Sequence, residues 1–434
     1  MTFHAWFECF AGCGIRYRLD QIVYRCESCG GLLEVRHDIE ALKQTPAAEW
    51  KSLFDSRLGR ASGVWSRKEV VLPELEEKNI VSLGEGNSPL IKSDRFAKYL
   101  GIDEIHIKQC GTSHTGSFKD LGMTVLVSSV NQIRSHIRAV ACASTGDTSA
   151  ALSAYCAAAG IPAIVFLPKD KVSIAQLIQP VANNAITISI DTDFDGCMKI
   201  VQEITKDTSI YLANSMNSLR VEGQKTISFE IVQQLNWRVP DFVIVPGGNL
   251  GNVSAIGSGF LLMRDMGLID RLPRLVCAQT DRANPLYRSF RAGFADLEPV
   301  IAGNTYATAI RIGNPVSFAK AVKALRATNG IVEQATETEL VRACAEVDRF
   351  GFFNDPQTGV ALAATIKLVK AKAIPRSSRA VVISTAHGLK FAEFKTKFHQ
   401  GHLLEVDPSL QNNLIEVPPD VNAVRSAIDG RIPA

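Results

Sequence analysis

From residue 105 onward, short apolar and β-branched runs alternate with stretches of helical length and composition. The runs at 105–110, 139–144, 163–168, 185–190, 210–214, 241–247, 274–279 and 380–385 predict strands, and 148–159, 195–205 and 223–235 predict helices between them. Such alternation gives an α/β fold with mostly parallel sheets and crossover helices on both faces. The strands exceed one small sheet, so two α/β lobes are expected within 84–400, the smaller at roughly 125–215. Residues 1–40 form a Cys-rich, ribbon-like segment. Residues 41–83 are a polar arm with Trp50, Trp65 and an acidic run at 74–77. The tail, 401–434, is weakly patterned and is expected to be extended or wrapping.

Composition narrows the function. The 434 residues, 46% hydrophobic and 21% charged, can bury a large core. A net charge of +3 with interspersed signs gives no case for nucleic acid or an acidic membrane surface. No apolar run approaches a bilayer-spanning length. The N-terminus lacks a basic n-region and an apolar h-region, so no signal peptide is expected. Six of the ten cysteines are scattered in apolar or small-residue surroundings, which is cytoplasmic usage.

The chemistry lies at the strand-to-loop junctions. Lys119 follows a small, polar stretch at 108–118. An amine at the C-terminal edge of a sheet can form a Schiff base with a carbonyl compound, pyridoxal phosphate being the commonest protein example. Ser144, Thr145, Asp147 and Thr148 precede an Ala-rich helix, offering either an anion site or ordinary capping. Gly247, Gly248, Asn249, Leu250, Gly251 and Asn252 offer either a phosphate loop or a tight turn. Asn214, Ser215 and Arg220 supply an amide, a hydroxyl and a guanidinium fork for a second anion, unless Arg220 only pairs with Glu222. Thr385 sits where it can meet a heterocycle nitrogen, and His387 reads as a packing residue. One amine nucleophile beside pockets for two phosphates and a carboxylate suggests pyridoxal phosphate acting on a phosphorylated amino acid.

Cys9, Cys13, Cys26 and Cys29 have the spacing C-x3-C-x12-C-x2-C. Two cysteine pairs on adjacent turns suggest a zinc ribbon, although the usual first knuckle is C-x2-C; a vestigial ribbon with free thiols is the alternative.

Five segments resemble the plant-type threonine synthases, in family order from about residue 19 to 399. They are Gly-x-Ser-His-Thr-Gly-Ser-Phe-Lys119-Asp, Cys-Ala-Ser-Thr-Gly-Asp147-Thr-Ser, Asn-Ser-x-Asn-Ser-Leu-Arg220, Val-Pro-Gly-Gly-Asn-Leu-Gly-Asn252 and Ser-Thr-Ala-His-Gly-Leu-Lys390. The resemblance implies the two-lobed type II pyridoxal-phosphate fold, tryptophan-synthase-β-like. It implies a homodimer converting O-phospho-L-homoserine and water to L-threonine and phosphate. Lys119 would bind the cofactor covalently and act as the catalytic base. The loop at 247–252 would hold the cofactor's phosphate, and Thr385 would face its ring nitrogen. Ser144, Thr145 and Thr148 would bind substrate, and Asn214, Ser215 and Arg220 its phosphate. Many relatives carry Asn where this chain has Asp147, beside the cofactor's phenolic oxygen. Two oxyanions there repel, so either a proton is shared or Asp147 points elsewhere.

Cysteate synthase-like and threonine or serine dehydratase-like activities are the rivals within the fold. A non-catalytic regulatory homologue is a third, against which Lys119 speaks. Plant-type members are typically activated by S-adenosylmethionine near the N-terminal arm, where Trp65 is a candidate stacking platform. The stretch Gly84-Glu85-Gly86-Asn87-Ser88-Pro89 looks instead like unregulated bacterial members, so weak or absent activation is expected.

Overall fold

The computed structural model describes residues 3–144, 146–169, 174–192, 194–403 and 407–431. Their strands are β1 (Ala5–Cys9), β2 (Arg16–Tyr17), β3 (Leu33–His37), β4 (Leu90–Lys92), β5 (Glu104–Gln109), β6 (Ala139–Ala143), β7 (Ala163–Pro168), β8 (Ile186–Ile190), β9 (Ile210–Leu212), β10 (Phe242–Pro246), β11 (Arg274–Thr280), β12 (Ile331–Ala335) and β13 (Arg379–Ser384). The larger lobe is built on the sheet β12-β11-β10-β13-β5-β4, parallel except for the edge strand β4. The smaller lobe carries the all-parallel sheet β8-β7-β6-β9. Every residue of β6 and β10 is buried, as a strand covered on both faces requires.

All eight expected strands are present, with ends within a residue or two. The helix expected at 223–235 runs as two, Leu219–Gln224 and Thr226–Gln234. The tail departs from expectation. It ends in a helix, Val421–Asp429, whose N-terminus is capped by the Asp420 carboxylate accepting from the Asn422 and Ala423 amides. Val421, Val424 and Ile428 recur at helical spacing but remain partly exposed.

The arm is less polar in place than in sequence. Trp50 and Phe54, on the helix Ala47–Ser56, are buried, and Phe54 meets Phe229 edge-on at 6.0 Å. Trp65 is buried too, with its indole N–H donating to Thr124 Oγ1 at 2.7 Å. It is a packed wall of the helix Lys119–Gln132, not an open stacking platform.

That helix also fixes the site. It packs on Leu219–Gln224 in backbone contact. A Cβ at Gly122 would lie 2.8 Å from the Arg220 carbonyl oxygen, and one at Gly223 would overlap the Leu121 carbonyl at 1.6 Å. Only glycine permits this approach, and it ties the helix that begins with Lys119 to the helix that carries Arg220.

Candidate active site

The expected site residues come from the C-terminal ends of β5, β6, β9, β10 and β13. The order β10-β13-β5 sets the loops of the Gly247 segment, Thr385 and Lys119 side by side. The last two are joined directly. The Phe118 amide donates to the Thr385 carbonyl and the His387 amide to the Gly116 carbonyl, each at 2.9 Å. His387 Nδ1 accepts from the Leu389 amide at 3.2 Å, a capping role consistent with a packing histidine.

Lys119 is part-buried, its Nζ 4.1 Å from the Phe118 ring centroid. Burial pushes its ammonium down to about 7, the Arg220 charge acts in the same direction, and Asp147 acts upward. A substantial fraction of this amine is therefore neutral near pH 7, which a nucleophile or base requires.

Asp147 has an ammonium partner: Lys390 Nζ lies 2.9 Å from its Oδ1, and also donates to the Thr115 carbonyl at 2.9 Å and Gln179 Oε1 at 3.1 Å. This ion pair spans the lobes and offsets the negative charge that made Asp147 an uncomfortable neighbour for a second oxyanion.

After β10, the Gly247 amide is committed to the Ala278 carbonyl at 2.8 Å. The amides of 248–252 have no acceptor among the described residues, so the cradle begins at Gly248. Leu250 adopts φ +66°, a strained conformation for a branched side chain; it is fully buried. Asn252 Nδ2 donates to the Pro246 carbonyl at 2.7 Å and so closes the loop. Asn249 Nδ2 reaches Ser215 Oγ at 3.5 Å, connecting this loop to the one after β9.

In the smaller lobe, Ser144 Oγ accepts from the Gly146 and Ser149 amides at 3.3 Å each. The Asp147 and Thr148 amides, at the start of the helix Asp147–Ala159, have no acceptor among the described residues. Thr145 lies outside the described residues. The Asn214 side chain is committed at both ends, accepting from the Ala143 amide at 3.0 Å and donating to its carbonyl at 2.8 Å. It clamps the ends of β6 and β9 together.

Arg220 is buried, yet it has no carboxylate partner among the described residues. Its guanidinium donates to the Ala213 carbonyl at 3.2 Å and Thr148 Oγ1 at 3.1 Å, and its Nε is unpaired. The surface pair with Glu222 is not formed; Glu222 pairs with His37 and Lys225 instead. Burial lowers the Arg220 pKa to about 10. A desolvated guanidinium with an open donor is a receptor for an anion.

Sequence reading missed the groups that hold these loops. Asp120 accepts from the Thr115 amide at 2.7 Å, and burial pushes its carboxyl up to about 7 against that bond. Asp355 accepts from the Thr358 amide at 3.0 Å and the Ala386 amide at 3.1 Å; burial raises it to about 6. Lys108, inside β5, makes a buried ion pair with Glu230 at 2.6 Å and donates to the Ser88 carbonyl at 2.6 Å. Tyr155 donates to buried Glu85 at 2.7 Å. A lysine directly after Ile107, still within the expected strand 105–110, was the available signal for Lys108.

The pocket suits pyridoxal phosphate on its own features: free amides after β10, a depressed-pKa amine after β5, and between them the Thr385 hydroxyl, which bonds to no other described residue. Residues 81–386 match the family described as pyridoxal-phosphate dependent enzyme. The chain is 55% identical over 422 residues to "Threonine synthase 2, chloroplastic" of Arabidopsis thaliana, covering 95% of this chain and 82% of that one. It is 44% identical over 379 residues to "Threonine synthase" of Methanocaldococcus jannaschii, covering 87% and 91%. The crystal structure of threonine synthase from Escherichia coli superposes with a TM-score of 0.70 over 98% of this chain and all of that one, at 19% identity, a likeness of fold. The chain belongs to the pyridoxal-phosphate-dependent lyases and, among them, to the threonine synthases.

Proposed function

We propose that this chain converts O-phospho-L-homoserine and water to L-threonine and phosphate. The observation that carries the reading is Arg220, a buried cation with an open donor, tied by backbone contact to the helix of Lys119. A dehydratase acting on an unphosphorylated amino acid has no use for it.

Bound with its phosphate at the amides of 248–252 and its ring nitrogen at Thr385, pyridoxal phosphate supplies a sink for the electron pair left at Cα. The substrate carboxylate rests on the free Asp147 and Thr148 amides, beside Ser144. Lys119 Nζ, neutral when free, would take the Cα proton, and after handing that proton on it would be neutral again to take one from Cβ. Arg220, with the Thr148 hydroxyl and Ser215, holds the phosphate as the Cγ–O bond breaks. Water adds its oxygen at Cβ, and returned protons complete Cα and the new methyl group. Lys390 would keep Asp147 charge-balanced where it would meet the cofactor's phenolic oxygen. Gly247, Asn252 and Asn214 shape the loops through the bonds already described.

The discriminating assay compares O-phosphohomoserine with phosphoserine plus sulfite, measuring phosphate release and identifying the amino acid formed. Threonine from the first and negligible turnover of the second is expected; cysteate formation would move the chain to the rival activity.

The amine sets a pH dependence. Lys119 is neutral above about pH 7 rather than above the ordinary value near 10.4. Uptake of pyridoxal phosphate by the apoenzyme, followed by absorbance, is expected to accelerate up to about pH 7.5 and then level off. Asp147 acts to raise this pKa, so Asp147→Asn moves the midpoint down. Acceleration continuing beyond about pH 9 would contradict the assignment.

The resemblance supports a homodimer with weak or absent activation by S-adenosylmethionine. Among the described residues no disulfide joins the cysteines, which supports a reducing compartment, cytoplasmic or, as the Arabidopsis relative's name has it, chloroplastic. Among the described residues, no helix is long and apolar enough to cross a membrane. We read Cys9, Cys13, Cys26 and Cys29 as a zinc site, since their sulfurs lie within 4.8 Å of one another.

A further inference from the structure

The ribbon β2-β1-β3 is too small to bury a core of its own. Two turns bring its cysteines together. In the first, between Cys9 and Cys13, the Gly12 amide donates to the Cys9 carbonyl at 3.2 Å; in the second, between Cys26 and Cys29, the Gly30 amide donates to the Cys26 carbonyl at 2.8 Å. Four thiolates around zinc at about 2.3 Å stand roughly 3.8 Å apart, a spacing these sulfurs allow. Cys9 and Cys29 are 3.5 Å apart, well beyond a disulfide bond.

What the ribbon touches is the segment of Arg220. Leu33, paired with Cys9 in the β1–β3 register, offers its carbonyl to Ser218 Oγ and to Lys320 Nζ, the latter at 2.5 Å. Ser218 immediately precedes the Arg220 helix. His37, at the end of β3, has Nε2 2.8 Å from both Glu222 Oε2 and Lys225 Nζ, and Glu222 also pairs with Lys225; all three are buried. Arg25, next to Cys26, spans from the Gly30 carbonyl at 2.8 Å to Met216 Sδ at 3.7 Å. Tyr24 Oη accepts from the Leu212 amide at 2.7 Å. The chain from β9 to the end of the Arg220 helix is therefore gripped by the ribbon at five positions: 212, 216, 218, 222 and 225.

We propose that the four-cysteine cluster, holding a thiophilic divalent cation of the zinc class, is a brace that positions Arg220 for the phosphate of the substrate. The inference rests on the zinc reading and on Arg220 as the phosphate-binding group. The cation fixes the two turns, the turns fix Leu33 and Arg25, and these hold the N-terminal flank of the Arg220 helix, while His37 at the end of β3 holds its C-terminal end. Ser218 and Lys320 act through this contact and are positioning residues.

The test uses the purified holoenzyme. Elemental analysis is expected to find about one zinc per chain, and cobalt replacement to give the absorption of a tetrahedral thiolate site. Binding of inorganic phosphate, measured by calorimetry, is then compared among wild type, Cys13→Ser/Cys29→Ser, Ser218→Ala and Lys320→Met. Each variant is expected to bind phosphate at least tenfold more weakly and to raise KM more than it lowers kcat. The cofactor's visible absorbance should remain, and Lys320→Arg should restore binding. A wild type with no metal and no capacity to take it up overturns the zinc reading. Metal present, with phosphate binding unchanged in Ser218→Ala and Lys320→Met, overturns the brace even if the cysteine variant does not fold. A zinc-loaded wild type that binds no phosphate overturns the Arg220 assignment and the brace with it.

Discussion

Replacing Lys119 by Ala is expected to abolish the visible absorbance of the lysine-linked cofactor and to lower threonine formation by about 10³-fold or more, because nucleophile and base are lost together. The fold should survive, since Lys119 makes no ion pair with any described residue and its helix is held by Gly122 against Arg220 and by the zipped Thr385 loop. The apoenzyme carrying Lys119→Met, which retains the stem, should melt higher than wild-type apoenzyme. Burial lowers the folded-state pKa to about 7, so wild type loses stability as pH falls from the unfolded value near 10.4, and the loss is complete below about pH 7. The variant's advantage should be largest there and vanish above about pH 10. Near-normal turnover, or an advantage that grows with pH, would refute this account of Lys119.

Arg220→Ala is expected to raise KM for O-phosphohomoserine by roughly 10- to 150-fold, equivalent to the 1.5–3 kcal/mol of a charge-assisted hydrogen bond. Cofactor affinity should change little, because its phosphate is assigned to the separate amides of 248–252. Arg220→Lys should recover only part of the loss, since an ammonium lacks the planar fork. Titration of pyridoxal phosphate into each variant separates the two phosphates: release of the cofactor by Arg220→Ala would show that they had been exchanged in the assignment.

The lobes and loops were legible in sequence because parallel strands buried on both faces read as continuous apolar runs, and their C-terminal junctions stand out as small and polar. Short strands were not. β4 has three residues at a sheet edge, and β12 mixes Glu333 and Gln334 into its run. The tail helix showed its Asp420 cap and apolar spacing, but the loop-like residues before it masked the pattern. Within the site, residue type suggested which groups suit an anion, but not whether those groups were already engaged. Asn214 and the Gly247 amide looked like ligands, yet Ala143 and Ala278 occupy them. The Lys390–Asp147 and Lys108–Glu230 pairs join residues 243 and 122 positions apart, a closeness that only the folded topology creates.

The Gly122–Gly223 contact gives the site a ruler. Side-chain packing can relax by rotamer changes, but two helices meeting backbone to backbone have almost no freedom to separate or slide. The span from the amine at Lys119 to the guanidinium at Arg220 is thereby set by main-chain geometry. On the proposed reading, it measures the substrate from Cα to phosphorus. A ligand one carbon shorter or longer would match the two ends less well. Substrate choice would then reside in two residues that have no side chains and touch no substrate, and swapping the groups that do touch it would leave the gauge unchanged.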